Sequence, residues 1–243
     1  MLKGLKIRFA REQFLPTRWG IVLNRNYIIR RGLYKAISHI ATDIRGEVLD
    51  FGCGSKPYEP LFPNATRYVG VDLEQSGHNH QTSTIDFYYD GEHLPFADCC
   101  FDAIVSFEVF EHVFNLEEVL SEIRRVLKTG GNLLLSIPFV WGEHEIPYDF
   151  ARYTTFGIAY ILRKCGFEVV QVEKTTSSFL AIAQMLIEYL SCHVSPKKGI
   201  PWKLFHLSVI CPITVAALFL NALLPKGHES FCNSVILARK SEK

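Results

Sequence analysis

Four carboxylates and two glycines lie along the first half of this chain at a spacing that suits nucleoside binding. Glu47-Val48-Leu49-Asp50-Phe51-Gly52-Cys53-Gly54 is an apolar run that ends in a carboxylate and then in two glycines one residue apart. It reads as a buried first strand followed by a tight turn, where Gly52 and Gly54 let a ligand approach the backbone with no Cβ in the way. Pro57 suits the first turn of a helix, so a helix is predicted over 57–62, stopping near Pro63. First-turn N–H groups and a nearby carboxylate can together hold a nucleoside. Asp72 closes a second apolar run, Asp90 follows a third, and Glu108 follows a fourth.

A second set of reactive side chains comes later. Glu111 and His112 open the loop beyond the fourth strand, and 138–153 is rich in aromatic and ionisable residues. His144 is the first candidate for a general base, since an unperturbed imidazole titrates near pH ~6.5. His112 is the second. Asp149 and Arg152 are placed to orient His144 or bind an acceptor; the alternative is a structural ion pair between them, with Tyr153 packed beneath the next helix. No metal site is expected. His78-x-His80 has no partner cysteine or carboxylate at ligand spacing and reads as loop surface. The seven cysteines, at 53, 99, 100, 165, 192, 211 and 232, contain no C-x-x-C pair and form neither a disulfide framework nor a zinc site. Such a set fits a reducing compartment.

These groups need a scaffold, and the pattern of elements supplies one. Strands are predicted at about 47–51, 68–71, 84–88, 101–107, 132–137, 167–172 and 234–238. Helices are predicted over 24–42, 115–128 and 154–165. In the helix at 115–128, Asn115 is the predicted cap, Glu118 its capping-box partner, and Gly130-Gly131 the stop. Strands alternating with helices give an α/β fold, a doubly wound, mostly parallel seven-stranded sheet with helices on both faces. An apolar helical insertion precedes the last strand. The expected divisions are a basic arm and leading helix (1–42), a Rossmann-like cofactor-binding core (43–175), the apolar insertion (176–230) and the final strand (231–243). Such sheets bind ligands at the carboxyl ends of their strands, where Gly52, Asp72, Asp90 and Glu108 all fall.

The pattern resembles the Rossmann-like (class I) S-adenosylmethionine-dependent methyltransferases, especially the subgroup carrying a D-x-G-C-G first motif. Asp50-Phe51-Gly52-Cys53-Gly54, Val71-Asp72, Asp90-Gly91-Glu92-His93-Leu94-Pro95-Phe96, Glu108 to Val113 and Leu127-Lys128-Thr129-Gly130-Gly131 match its motifs in order over about residues 45–175. Thr129 stands where the family pattern has proline. The resemblance implies S-adenosyl-L-methionine as cofactor. It implies Asp72 on the ribose hydroxyls, Asp90 on the adenine amino group with the Gly91–Glu92 backbone on the ring, and the Gly52-Cys53-Gly54 turn beneath. Asp50 would reach the amino group of the methionine part, and Glu108 would contact the same end. A dinucleotide fingerprint would need a third glycine where Pro57 stands.

The implied function is methyl transfer to a small-molecule, saccharide-precursor or lipid-linked acceptor. The alternatives are a non-catalytic cofactor-binding or regulatory subunit and an NAD-dependent oxidoreductase. The net charge of +1 hides an asymmetry: residues 1–42 hold nine Lys and Arg against Glu12 alone. No aromatic-basic interleaving accompanies that arm, which argues against nucleic acid. The arm and the uncharged stretch 204–224 share one explanation if the protein is cytoplasmic and peripheral to an anionic membrane surface. Pro212 argues against a simple span, and packing against the core or in a homodimer is the other way to cover the two apolar segments, 179–194 and 204–224.

Overall fold

A computed structural model of the chain describes residues 10–74, 84–197 and 199–242. His78-x-His80 and the first part of the basic arm lie outside them. The sheet has seven strands: β1 (Gly46–Phe51), β2 (Ala65–Leu73), β3 (Phe87–Tyr89), β4 (Phe101–Phe107), β5 (Leu127–Pro138), β6 (Phe167–Lys174) and β7 (Asn233–Lys240). Their order is β3-β2-β1-β4-β5-β7-β6. β1 pairs in parallel with β2 and β4, β2 with β3, and β4 with β5. β6 and β7 run antiparallel: the Thr175 N–H donates to the Asn233 carbonyl, and the Ser241 N–H to the Gly166 carbonyl. Val48, Leu49 and Phe51 of β1 are fully enclosed, as the continuous apolar run of a central parallel strand requires.

The connection from β1 to β2 departs from the expected helix. Only a 3-10 turn, Glu59–Leu61, forms there. Pro57, Pro60 and Pro63 withdraw a backbone donor at every third position, and Lys56 takes a left-handed φ of 51°. Side chains hold the segment instead. Tyr58 meets Phe107 edge-on with centroids 4.8 Å apart, and Phe62 lies 5.6 Å from Tyr68.

Three helices follow in and beside the sheet: α1 (Tyr27–Ala41), α2 (Leu116–Val126) and α3 (Thr155–Lys164). The predicted stripe of α1, Tyr27, Ile28, Leu33, Ile37 and Ile40, is buried throughout. α3 is capped by the Thr154 hydroxyl, which accepts from the Gly157 N–H. α2 buries Leu116, Val119, Leu120 and Ile123 as its period requires, but its ends differ from expectation. The Asn115 side chain caps no backbone N–H and donates to the Glu118 carboxylate. Gly130-Gly131 does not stop the helix, because β5 begins directly at Leu127. Phe101 pairs with Leu127 and Ala103 with Asn132, so 128–131 are a bulge in the strand. A Cβ on Gly131 would lie 2.8 Å from the Lys128 carbonyl oxygen, which explains the glycine there.

The chain divides into two compact units, residues 1–35 with 174–233 and residues 36–173 with 234–243. The second holds the main apolar core, from Leu49, Ile104 and Leu135 to Ile158 and Ile236. The first contains α4 (Ser178–Tyr189) and the 25-residue helix α5 (Gly199–Leu223), around Ile28, Ala183, Ile187, Ile210 and Ala217. Pro212 does not break α5. A π-helical turn at His206–Ile210 precedes it, a wider turn of the kind that accommodates irregularity inside a helix.

Arg125 on α2 fastens the 94–98 loop. Its guanidinium donates to the Leu94 and Phe96 carbonyls, to Asp98 and, through two nitrogens, to Glu122, which in turn accepts from the Leu94 N–H. Arg125→Met strands two carbonyls and a carboxylate, at a cost of about 2 kcal/mol. For a chain of this size, thermal melting should show a loss of about 4–8 °C. Lys128→Met, which cuts an exposed pair with Asp102, should cost less than about 1 kcal/mol. Equal melting temperatures for the two variants would refute the assignment of Arg125 as the fastener.

Candidate active site

The carboxyl edge of β1 and β2 is closed by hydrogen bonds into a glycine turn. Gly52 has a φ of 70° and donates its N–H to the Val71 carbonyl. A Cβ there would sit 2.5 Å from Val109 Cγ2. Gly54 has a φ of 49°, and a Cβ there would meet nothing within 4 Å among the described residues. Its N–H donates to Asp72 Oδ2 at 2.9 Å, while Oδ1 accepts from the Leu73 N–H at 2.8 Å. The buried Cys53 donates its backbone N–H to the Val71 carbonyl as well. The two glycines therefore serve different needs: Gly52 admits Val109, and Gly54 keeps the space above the turn open.

Asp50 lies beneath this turn, only 3% exposed, and accepts a 2.8 Å hydrogen bond from the Tyr68 hydroxyl. Burial pushes its pKa up to about 7 from an ordinary 3.8, against the opposing pull of Tyr68 and Lys56. Lys56 forms an ion pair with Asp86, which also accepts from the Gly70 N–H at 2.7 Å. Sequence reasoning missed Tyr68, Lys56 and Asp86. Tyr68 stands two places before the Gly70-Val71-Asp72 stretch only as another apolar strand residue, and Asp86 sits in a short strand region with no periodic signal.

Asp90 follows β3 and is turned inward on its own loop. Its Oδ1 accepts from the Glu92 and His93 N–H groups, each at 2.8 Å, and these bonds hold its carboxyl below the usual range. Gly91 has a φ of 96°, which the turn requires. Glu108 follows β4 with a left-handed φ of 57°. Its Oε1 accepts from the Ser136 hydroxyl at 2.7 Å, and its N–H donates to the Ser136 carbonyl. Ser136 is a further residue that the sequence reading passed over, as one polar position within an apolar strand.

The structure brings His112, His144 and Asp149 into one corner with Glu111 and Arg152. The two imidazoles meet edge to face, with centroids 4.8 Å apart and planes at 77°. His112 Nδ1 lies 2.8 Å from the Tyr148 carbonyl oxygen. His144 Nδ1 lies 3.2 Å from Asp149 Oδ2. Burial works to raise the Asp149 pKa, but the Arg152 fork at 2.6 and 2.7 Å and the His144 N–H at 2.9 Å outweigh it and bring it down to about 2. Asp149 is thus an anion that orients His144 and pairs with Arg152. Glu111 is enclosed beside them, with Glu108 nearby. Burial first, and then the Glu108 charge, raises its pKa well above the ordinary carboxyl value. Sequence reasoning quoted Glu111 but assigned it no role of its own.

The comparisons agree with this architecture. A family model described as "Methyltransferase domain" matches residues 49–135, which run from β1 into β5. A "probable S-adenosylmethionine-dependent methyltransferase" of Mycolicibacterium smegmatis is 31% identical over 157 residues, 59% of this chain and 60% of that protein. A fatty-acid O-methyltransferase of the same organism is 34% identical over 103 residues, 38% of this chain and 37% of that protein. The chain thus aligns with less than two thirds of the length of these relatives. Among solved structures, phosphoethanolamine N-methyltransferase 2 of Haemonchus contortus, in complex with S-adenosyl-L-methionine, superposes with a TM-score of 0.56 at 17% identity, over 95% of this chain and 59% of that one. Residues 49–135 are thus similar to a methyltransferase domain, and the sheet shares the fold of a solved S-adenosylmethionine-binding methyltransferase.

Proposed function

We propose that the chain transfers a methyl group from S-adenosylmethionine to a lipid-linked or small hydroxylated acceptor, working against a membrane surface. The observation that carries the first half is the open space over Gly54 beside the Asp72 carboxylate. On this reading a nucleoside lies there, with Asp72 accepting from the ribose hydroxyls and Asp50 meeting the ammonium of the methionine part. Asp90 keeps Oδ2 for the adenine amino group, and the Gly91–Glu92 backbone borders the ring. The turn sequence Asp50-Phe51-Gly52-Cys53-Gly54 supports the D-x-G-C-G subgroup. Bound there, the cofactor supplies an electrophilic methyl group on a sulfonium sulfur. The protein's own task is to align an acceptor with that carbon and keep water away. His112 and His144, held by Tyr148 and Asp149, are the groups offered to the acceptor.

A nucleotide-dependent oxidoreductase is disfavoured by the 3-10 turn after β1. A dinucleotide pyrophosphate rests on the N-terminus of the helix that follows the first strand, and no α-helix forms between 52 and 64. A purely regulatory, cofactor-binding subunit is disfavoured by the ordered histidine corner, which such a role would not need.

The lipid half rests on α4 and α5. Ile182 and Leu186 on α4, and Ile200, Leu204, Leu207, Val215, Phe219 and Leu223 on α5, are all exposed. Only 28% of the most apolar window of α5 is buried. Lys197, Lys203 and Lys226 are exposed around this stripe, and Arg11, Arg18 and Trp19 belong to the same compact unit. An apolar helix face rimmed by cations suits the boundary between headgroups and acyl chains. The named fatty-acid O-methyltransferase relative points to the same acceptor class.

Calorimetry with S-adenosylmethionine tests the pocket. Asp72→Ala should weaken binding at least ~10-fold, or ~1.4 kcal/mol. Asp50 takes part as an anion, yet its folded pKa lies near 7. Affinity should therefore rise with pH up to about 7 and level off above it, and binding near pH 6 should release a proton. The linkage sign for the free protein is the opposite of a salt-bridged acid: a raised folded pKa means stability falls as pH rises from about 4 to 7. Tyr68→Phe removes a bond that lowers the pKa, so the binding midpoint should move upward. Affinity that is flat from about pH 5.5 to 8 would contradict the role of Asp50.

Vesicles test the surface. The chain should co-sediment with anionic phosphatidylglycerol vesicles, lose most of that binding in Phe219→Asp/Leu223→Asp, and transfer label from methyl-labelled cofactor to a lipid extract. A wholly soluble chain that labels only water-soluble acceptors would contradict it.

A further inference from the structure

We propose that Glu111, His112 and His144 form a binding site for a divalent cation of the zinc, manganese or iron type. Glu111 lies on the 3-10 turn Phe110–His112 that follows β4 and is 1% exposed. Among the described residues, neither of its carboxylate oxygens accepts a hydrogen bond. A carboxylate enclosed in this way is costly unless a cation or a set of donors meets it. The imidazole facing it is His112, with Nε2 3.8 Å from Oε1.

Both imidazoles are set to offer a lone pair. The carbonyl of Tyr148 can only accept, so His112 Nδ1, 2.8 Å away, carries a hydrogen, and in the neutral imidazole Nε2 keeps its lone pair, facing Glu111 Oε1 at 3.8 Å and Glu145 Oε2 at 3.7 Å. His144 Nδ1 has three polar neighbours, Asp149 Oδ2 at 3.2 Å, the Gly142 carbonyl oxygen at 3.3 Å and Arg152 Nη2 at 3.4 Å. The two hydrogens of that Nη2 already serve Asp149 Oδ2 and the Gly142 carbonyl. His144 Nδ1 therefore donates to Asp149, and its Nε2 too keeps its lone pair. Carboxylate or carbonyl behind imidazole, with the far nitrogen free, is the arrangement that orients histidine ligands to metals.

One ligand atom from each of the three residues lies within 4.8 Å of the others. Metal–ligand distances of about 2.0–2.2 Å require ligand atoms about 3.3 Å apart, so side-chain rotation of about 1 Å closes the set. Two imidazoles and one carboxylate suit borderline cations, whereas magnesium and calcium prefer oxygen alone. Three protein ligands leave coordination positions open, and an acceptor oxygen there would be polarised and its hydroxyl proton lost more readily to water. In that case neither imidazole acts as a base. This last role rests on the methyl-transfer reading; cation binding does not.

The test uses the full-length chain stripped with a chelator. Cobalt(II) is titrated by visible absorption, and zinc(II) by competition with a chromophoric chelator. We expect one cobalt per chain, ligand-field bands, and no thiolate charge-transfer band. Glu111→Gln, His112→Ala and His144→Ala should each weaken binding by ~10-fold or more, and Asp149→Asn by ~10-fold through His144. His39→Ala, whose side chain is 76% exposed, should bind as the parent does. Glu111→Gln keeps the size of the buried side chain and should melt no lower than the parent; Asp149→Asn, outside the ligand set, keeps the test valid if a ligand variant misfolds. Calorimetric affinity for S-adenosylmethionine should be unchanged in Glu111→Gln, so loss of cation binding and loss of the cofactor pocket are read separately. Cobalt affinity equal in all variants, or a thiolate band, overturns the site.

Discussion

The structure depends first on the hydrogen bond from the Gly54 N–H to the Asp72 carboxylate. Two parallel strands end side by side, and their loops would otherwise diverge. This bond ties the turn after β1 to the end of β2 and leaves the space above Gly54 open. The same carboxylate is the one proposed to meet the ribose hydroxyls. On that reading fold and ligand recognition draw on one group. The cost is visible underneath, where Asp50 is enclosed and stays half-protonated near neutrality until a cation meets it.

A parallel sheet of this order usually has a helix after its first strand to supply ligand-binding N–H groups. Here three prolines remove that helix, and aromatic packing of Tyr58 and Phe62 takes over its structural part. The ligand-facing part falls to the glycine turn alone, with Lys56 and Asp86 bracing it from the side. The histidine corner beyond β4 and β5 repeats the theme. Asp149 and Arg152 spend their charges on each other and on holding one imidazole, so the free chemistry passes to Glu111 and the two outer nitrogens.

Much of this was legible in the residues. The apolar runs of β1 and β4 are continuous because both strands are enclosed on two faces, and the α2 stripe follows a helical period because one face alone is buried. The D-x-G-x-G spacing identified the turn, and Asp72, Asp90 and Glu108 fall at strand ends on the same sheet edge. What was not legible depended on long-range geometry. Pro57 alone reads as a helix start, but with Pro60 and Pro63 it leaves only the 3-10 turn Glu59–Leu61. Gly130-Gly131 reads as a helix stop locally, yet the register of β4 against β5 turns it into a bulge. Lys56 with Asp86, and Glu111 with His144, are about thirty residues apart in sequence, and no spacing rule joins them.

The most direct measurement is a crystal structure of the chain grown with S-adenosylmethionine or its demethylated product. The account predicts the adenosine over Gly54, with both ribose hydroxyls within hydrogen-bonding distance of Asp72 and the ammonium group toward Asp50. A ligand bound elsewhere, or a side chain filling the space above Gly54 and excluding it, would contradict the account.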